Sequence, residues 1–177
     1  LGQYHGPVLL FTRTKVGAKK VVKAIKEMKH TAAEIHSDRT LGQRKDALQG
    51  FKTGKYRVLV ATDIAARGID VIGIELVINF DLPFDAEAYV HRIGRTGRAG
   101  RTGIAISLLT PREKPGLRRI EAYTLQPIRR AQLPTAEEVL AHRETLFVQQ
   151  IETAMTQGDD AARETVHRLC ALGHTPE

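Results

Sequence analysis

Short apolar runs alternate with longer stretches of helical period through the first 125 residues. Five runs predict strands: Val8–Thr12, Ala32–His36, Arg57–Ala61, Glu75–Phe80 and Gly103–Leu109, several of them rich in Val and Ile. Between them, Lys15–Lys29 places Val21, Val22 and Ile25 on one face, with Lys19, Lys20, Lys23 and Lys26 mostly elsewhere. Thr40–Thr53 is arranged similarly around Leu41, Leu48 and Phe51. Short strands separated by helices call for a parallel sheet covered on both faces, and right-handed crossovers make it doubly wound. An α/β fold of about five strands is therefore expected, with ligands bound at the loops that leave the strands' carboxyl ends.

Beyond Arg130 the alternation stops. Leu133-Pro134-Thr135-Ala136-Glu137-Glu138 opens a helix with acids in its first turn, and Gly158 closes it; a second helix runs from about Asp159 to Leu172, ahead of Gly173. Val139, Leu140, Leu146, Phe147, Ile151 and Met155 form a stripe on the first helix that needs a partner surface, either the chain's own core or an interface. Charge changes at the same place. Residues 1–130 carry 24 Lys and Arg against 12 Asp and Glu, whereas residues 131–177 carry 3 against 8. Two parts are expected, a main domain at residues 1–128 and a small helical appendage at 129–177. The basic first part suits phosphate binding by long-range attraction, or a positively charged solubilising surface; charge alone leaves both readings open.

Composition narrows the class. With 42% hydrophobic and 27% charged residues the chain is neither disordered nor membrane-spanning. Its most apolar stretch, Val71–Phe80, is too short to cross a bilayer and contains Glu75, so no membrane partner is expected. Cys170 is the single cysteine and no Cys/His pair has metal-ligand spacing, so neither a disulfide nor a bound metal is expected. The chain opens at Leu1 without a basic-then-apolar leader and reads as an excised piece of a cytoplasmic protein.

Two segments carry unusual chemistry. After the strand Arg57–Ala61 comes Thr62-Asp63-Ile64-Ala65-Ala66-Arg67-Gly68-Ile69-Asp70. Arg67 offers a planar fork for phosphate oxygens, Asp70 can accept from ribose hydroxyls, and Gly68 permits close backbone approach. Equally, Asp63 can cap a helical turn and pair with Arg67, and the nonamer leaves both readings open. His91-Arg92-Ile93-Gly94-Arg95-Thr96-Gly97-Arg98-Ala99-Gly100-Arg101 packs four arginines and three glycines into eleven residues. Arg95 and Arg98, three apart, project from one side of a turn towards a common anion, the arrangement of arginine fingers on a transferring phosphoryl group. A solvated basic loop is the weaker reading.

Gly50-Phe51-Lys52-Thr53-Gly54-Lys55 imitates a phosphate-binding loop without being one. Its glycines are one residue too close, Tyr56 replaces the Ser/Thr that would hold magnesium, and the segment precedes a strand. A chain with finger arginines but no phosphate cradle can complete a nucleotide-cleaving site that another domain must supply.

Val8-Leu9-Leu10-Phe11-Thr12-Arg13-Thr14-Lys15, the run Ala61 to Asp70, Val77-Ile78-Asn79-Phe80-Asp81-Leu82-Pro83 and the run His91 to Arg98 resemble, in order and spacing, motifs IV to VI of DEAD-box RNA helicases over roughly residues 5–125. The resemblance implies a RecA-like doubly wound sheet and the C-terminal half of an ATP-dependent helicase core. It implies that Arg95 and Arg98 reach the ATP γ-phosphate and that His91 meets the catalytic motifs of a preceding RecA-like domain, which would also hold Mg2+. Asp70 would hold the ribose, with Arg67 and Gly68 near the phosphates. Thr62 and Arg44 would contact RNA phosphates, with Arg13 and Thr14 further candidates for that surface; such contacts read backbone shape rather than sequence.

The chain departs from the family pattern in two places. It reads His36-Ser37-Asp38 where the family has His-Gly-Asp, and Leu41 where the family has a Gln three residues before the RNA-contacting Arg, so an amide able to orient Arg44 is lost. The tail is similar to the helical segment that follows the core in some bacterial cold-shock and heat-resistant DEAD-box helicases, where it mediates homodimers; this implies a dimer through residues 133–173. The competing expectations are a non-catalytic RNA-binding scaffold and a DNA helicase of the wider superfamily.

Overall fold

The computed structural model describes residues 4–66, 69, 71–98, 100, 102–132 and 134–157, residues 154–157 by backbone alone. Within them the order is β1 (Val8–Phe11), α1 (Lys15–Glu27), β2 (Ala32–Ile35), α2 (Leu41–Lys52), β3 (Val58–Ala61), α3 (Asp63–Ala66), β4 (Leu76–Asn79), α4 (Ala86–Ile93) and β5 (Ile104–Ser107). A 3-10 turn at Pro111–Glu113, α5 (Lys114–Thr124) and α6 (Ala136–Gln157) follow. All five expected strands are present, each trimmed by at most two residues at an end. They form one sheet in the order β2-β3-β1-β4-β5, every pair parallel.

Period-2 alternation divides the strand side chains between two cores. Leu9, Phe11, Leu59, Ala61 and Val77 face α2, where Ala47 and Phe51 complete the cluster. Val8, Leu10, Val58, Val60 and Leu76 face α1 through Ala18, Val21, Val22 and Ile25. Phe51 is 1% exposed, and its truncation to Ala would cost about 3–5 kcal/mol by transfer and cavity terms together. A third cluster of Leu82, Tyr89 and Ile120 joins α4 to α5. The expected cover on both faces thins at the edge strand: Ile104 and Ile106 of β5 keep 39% and 37% exposure, because α1 packs over the opposite half of the sheet.

Local signals explain the helix ends. Thr14 accepts from the Gly17 amide to start α1, and Thr40 forms a reciprocal capping box with Gln43 at α2. The first helix ends two residues before the expected Lys29. Lys29 is left-handed, with φ 64°, while its amide donates to Lys26 O and the His30 amide to Ile25 O, a Schellman closure without glycine. Leu41, expected on the buried face of α2, is 67% exposed because it occupies the first position beyond the cap. The segment Gly50–Lys55 closes α2 and leads into β3, an arrangement no phosphate loop has.

The chain divides into two units, Leu1–Ile128 and Arg129–Glu177. In the second, α6 begins at a reciprocal pair of bonds between Thr135 and Glu138, whose amides lie 2.7 Å from Glu138 Oε2 and 3.2 Å from Thr135 Oγ1 respectively. The second tail helix expected at Asp159–Leu172 lies outside the described residues, as does the side chain of Met155. Among the described residues no helix is long and apolar enough to cross a membrane.

Candidate functional site

The site is organised around a buried arginine. Asp85 starts α4 by accepting from the Ala88 amide at 2.6 Å, and the helix turns Tyr89 and Arg92, three residues apart, inward. Arg92 is 2% exposed. Its Nε and Nη2 donate to the two carboxylate oxygens of Asp63 at 2.5 and 2.7 Å, and its Nη1 donates to Asn79 Oδ1 at 3.1 Å and Asp81 O at 2.7 Å. Its guanidinium also lies over the Phe11 ring, 5.1 Å from the centroid. Arg92 thus ties together the carboxyl ends of β1, β3 and β4. Asp63 is committed to Arg92, 29 residues away, rather than to Arg67, the partner that one of the two sequence readings offered it.

Because α4 runs back along the sheet from the end of β4, the turn that follows it, at Thr96, lies beside the start of that strand. Arg95 and Arg98 therefore depart from the expectation that ligand-binding residues gather at strand carboxyl ends: they leave a turn below that edge, and Arg95 reaches back. Arg95 Nη1 donates to Ile69 O at 3.0 Å and its Nε to His91 O at 3.2 Å. Arg98 Nε donates to Gly94 O at 2.7 Å. Both side chains have contacts beyond these.

Two hollows result. A cleft of about 360 Å3 is lined by Phe11, Asp63, Ala66, His91, Arg92 and Arg95. A smaller one of about 170 Å3 lies between Glu75, Gly97, Thr102 and the two arginines. His91 and Arg95 thus share one cleft, and Arg95 and Arg98 share the next. The candidates Arg67, Gly68 and Asp70 lie outside the described residues.

The candidate nucleic-acid residues fall in two places. Arg44, on α2, extends Nη2 to within 3.5 Å of Ala65 O, beside Thr62 at the end of β3. Thr62 O accepts from the amides of Ala65 and Ala66, so Thr62 directly precedes the short α3 and takes its first helical bonds. Leu41 faces solvent one turn before Arg44. Ser37 is exposed next to the fully buried His36, whose Nδ1 accepts the Asp38 amide at 3.2 Å. A hydrogen bond from Lys15 holds the Asp38 carboxyl below its ordinary pKa.

Arg13 and Thr14, in the loop after β1, are engaged differently. The Arg13 amide donates to Asp81 Oδ2 at 2.8 Å, and its Nη2 donates to Leu82 O at 3.2 Å and Glu113 Oε1 at 3.3 Å, above the Phe84 ring. Thr14 Oγ1 accepts from the Gly17 amide at 3.0 Å.

Comparison with known proteins shows the family and the fold. The family described as helicase conserved C-terminal domain matches residues 1–100. The chain is 45% identical over 151 residues to the DEAD-box ATP-dependent RNA helicase CshA of Bacillus licheniformis, covering 85% of this chain and 31% of that protein. The chain therefore spans about a third of the length of such relatives. Among solved structures it is similar to a DEAD box protein from Methanococcus jannaschii, with TM-score 0.68 and 41% identity over 72% of this chain and 35% of that one. It is also similar to the C-terminal domain of S. cerevisiae Dbp5 bound to Gle1 and IP6, with TM-score 0.66 and 31% identity over 75% of this chain and 77% of that one.

Proposed function

The chain belongs to the helicase conserved C-terminal domain family, and from that membership we propose that it is the C-terminal RecA-like half of a DEAD-box ATP-dependent RNA helicase core. Residues 1–128 form that half in this reading, and residues 129–177 the helical appendage. The observation that carries the proposal is the delivery of His91, Arg95 and Arg98 by the last turn of α4 and the turn that follows it, anchored through the buried Arg92.

ATP is the substrate and is bound between this domain and a preceding RecA-like domain of the same cytoplasmic protein. Arg95 and Arg98 face the γ-phosphate, where two guanidiniums neutralise charge that builds as the phosphoryl group transfers. His91, exposed on the cleft, meets the other domain; Arg67, Gly68 and Asp70 take the ribose and phosphates. Mg2+ belongs to the other domain in this reading, and Asp63, the carboxylate lining the described cleft, is engaged by Arg92 through both oxygens. The RNA backbone lies on Arg44 and Thr62, with Arg13 and Thr14 alongside.

In the whole protein, Arg95→Ala or Arg98→Ala lowers RNA-stimulated ATP turnover about 10³-fold while RNA affinity changes far less. Near-normal turnover in either variant overturns the finger assignment. Residues 1–177 alone hydrolyse no ATP; RNA-stimulated turnover by this chain alone would overturn the division of labour. Stimulation by DNA in place of RNA would make the protein a DNA helicase.

A further inference from the structure

The turn that carries Arg95 and Arg98 is held from beneath by two residues that the phosphate-facing reading leaves without a role. Thr96, between the two arginines, directs its hydroxyl at the carbonyls of Ile74 and Glu75, 2.5 and 3.1 Å away, where the chain enters β4. One hydroxyl proton serves both acceptors, both are backbone carbonyls, and that of Glu75 also takes the Ile104 amide at the start of β5. Gly97 follows with φ 67°, a left-handed conformation that sends the chain sharply on to Arg98.

On its other flank the turn rests on Gly103, the residue before β5. A Cβ at Gly103 would come within 2.3 Å of the Gly97 nitrogen, 2.5 Å of Thr96 Oγ1 and 2.8 Å of the Gly97 Cα. Two of those three atoms are backbone and cannot rotate away. The turn is therefore pressed between the entries to β4 and β5, and its position is set by one hydrogen-bonding hydroxyl and one missing methyl group. The Nε bonds of Arg95 and Arg98 to His91 O and Gly94 O orient the side chains within the turn but do not attach the turn to the sheet.

We propose that Thr96 is a positioning residue for Arg95 and Arg98, and that Gly103 is the seat on which it sets them. The inference rests on the assignment of those arginines to the ATP phosphates. Thr96→Val keeps the shape and removes the donor; Thr96→Ser keeps the donor. An error of about 1 Å in a catalytic group costs about 10²-fold in rate, and it acts on the transition state more than on ground-state binding.

The test is steady-state ATPase kinetics of the whole protein with saturating RNA, comparing Thr96→Val, Thr96→Ser, Gly103→Ala and Arg95→Ala, with thermal unfolding of each. Thr96→Val and Gly103→Ala are expected to lower kcat about 10²-fold with KM for ATP altered only a few-fold. Thr96→Ser is expected to stay near the parent, and the unfolding temperatures of both Thr96 variants to stay close to it, whereas Gly103→Ala, which forces a Cβ against the Gly97 backbone, is expected to lower its own. Parent-like kcat in Thr96→Val beside an inactive Arg95→Ala overturns the positioning role and leaves the finger assignment standing. Parent-like kcat in Arg95→Ala overturns the assignment and the inference with it. A loss in Thr96→Val that serine fails to restore and that tracks a lowered unfolding temperature also overturns it, since general destabilisation then accounts for the effect.

Discussion

Asp63 grips Arg92 through both carboxylate oxygens, yet the two partners differ widely in their access to water: the arginine side chain is 3% exposed and the aspartate 45%. The pair is consequently asymmetric. Removing Asp63 leaves a guanidinium in the core with Asn79 Oδ1, Asp81 O and the Phe11 ring as its described partners, whereas removing Arg92 leaves a carboxylate that solvent reaches. Asp63→Ala should therefore cost about 3 kcal/mol or more, and Arg92→Met distinctly less. Urea unfolding of both variants checks this; equal costs would contradict the asymmetry.

Glu113 supplies a pH dependence. Its carboxylate accepts the Thr110 amide and hydroxyl at 2.9 and 2.8 Å and faces Arg13. Led by the backbone bond from Thr110, and against the opposing effect of burial, these hold its pKa below the ordinary glutamate value. A carboxyl depressed in the folded state contributes stability that is complete above its unfolded pKa and disappears as pH falls through the folded one. Glu113→Gln should therefore flatten the acid limb of the stability curve and cost stability at neutral pH. An unchanged acid limb in denaturant titrations at several pH values would remove Glu113 from the account.

For Arg44 the expected readout is ionic. Arg44→Ala in the whole protein should weaken RNA binding equally across sequences and reduce the slope of log affinity against log salt by roughly 0.7 on a single strand. Fluorescence anisotropy at several salt concentrations measures it, and an unchanged slope returns Arg44 to an ordinary surface role beside Ala65.

Along α6, Leu140, Phe147, Val148 and Ile151 are exposed, Phe147 by 63%. An isologous contact through Leu146, Phe147, Ile151 and Met155 would bury this stripe in two copies of the chain. Light scattering should show a dimer that dissociates on dilution and that Phe147→Asp abolishes. A monomer at high micromolar concentration, or a dimer that survives Phe147→Asp, would rule this contact out.

The parts of the molecule that were legible in the sequence depend on neighbours along the chain. Val8–Phe11 and Val58–Ala61 read as strands because all four side chains of each are buried between helices, so the runs are apolar without interruption. The turn of Arg95 and Arg98 was visible because no helix or strand tolerates so many glycines and arginines together. What stayed hidden depends on distant contacts. Spacing set Arg95 and Arg98 apart among the four arginines of residues 91–101, but for Arg92 its distance from Tyr89 was the one local sign that it turns inward. Its partners Asp63 and Asn79 arrive from α3 and β4. Thr96 passed as a spacer because its acceptors lie more than twenty residues earlier, and Gly103 as an ordinary strand-leading glycine because the backbone it admits belongs to another turn. Lys29 closed α1 without the glycine by which helix ends are usually found.

The strand order has a consequence for how the chain is made. β1 is the first of the five strands to be synthesised and the middle one of the sheet: Val8 pairs with Val58 on one side and Leu76 on the other. A nascent chain leaving the ribosome therefore holds an apolar strand with both edges open until β3 emerges, and with one edge open until β4 does. Pairings this distant make folding slow and leave such an intermediate prone to aggregate, so a pause in synthesis before β4 emerges would prolong the exposure of that open edge.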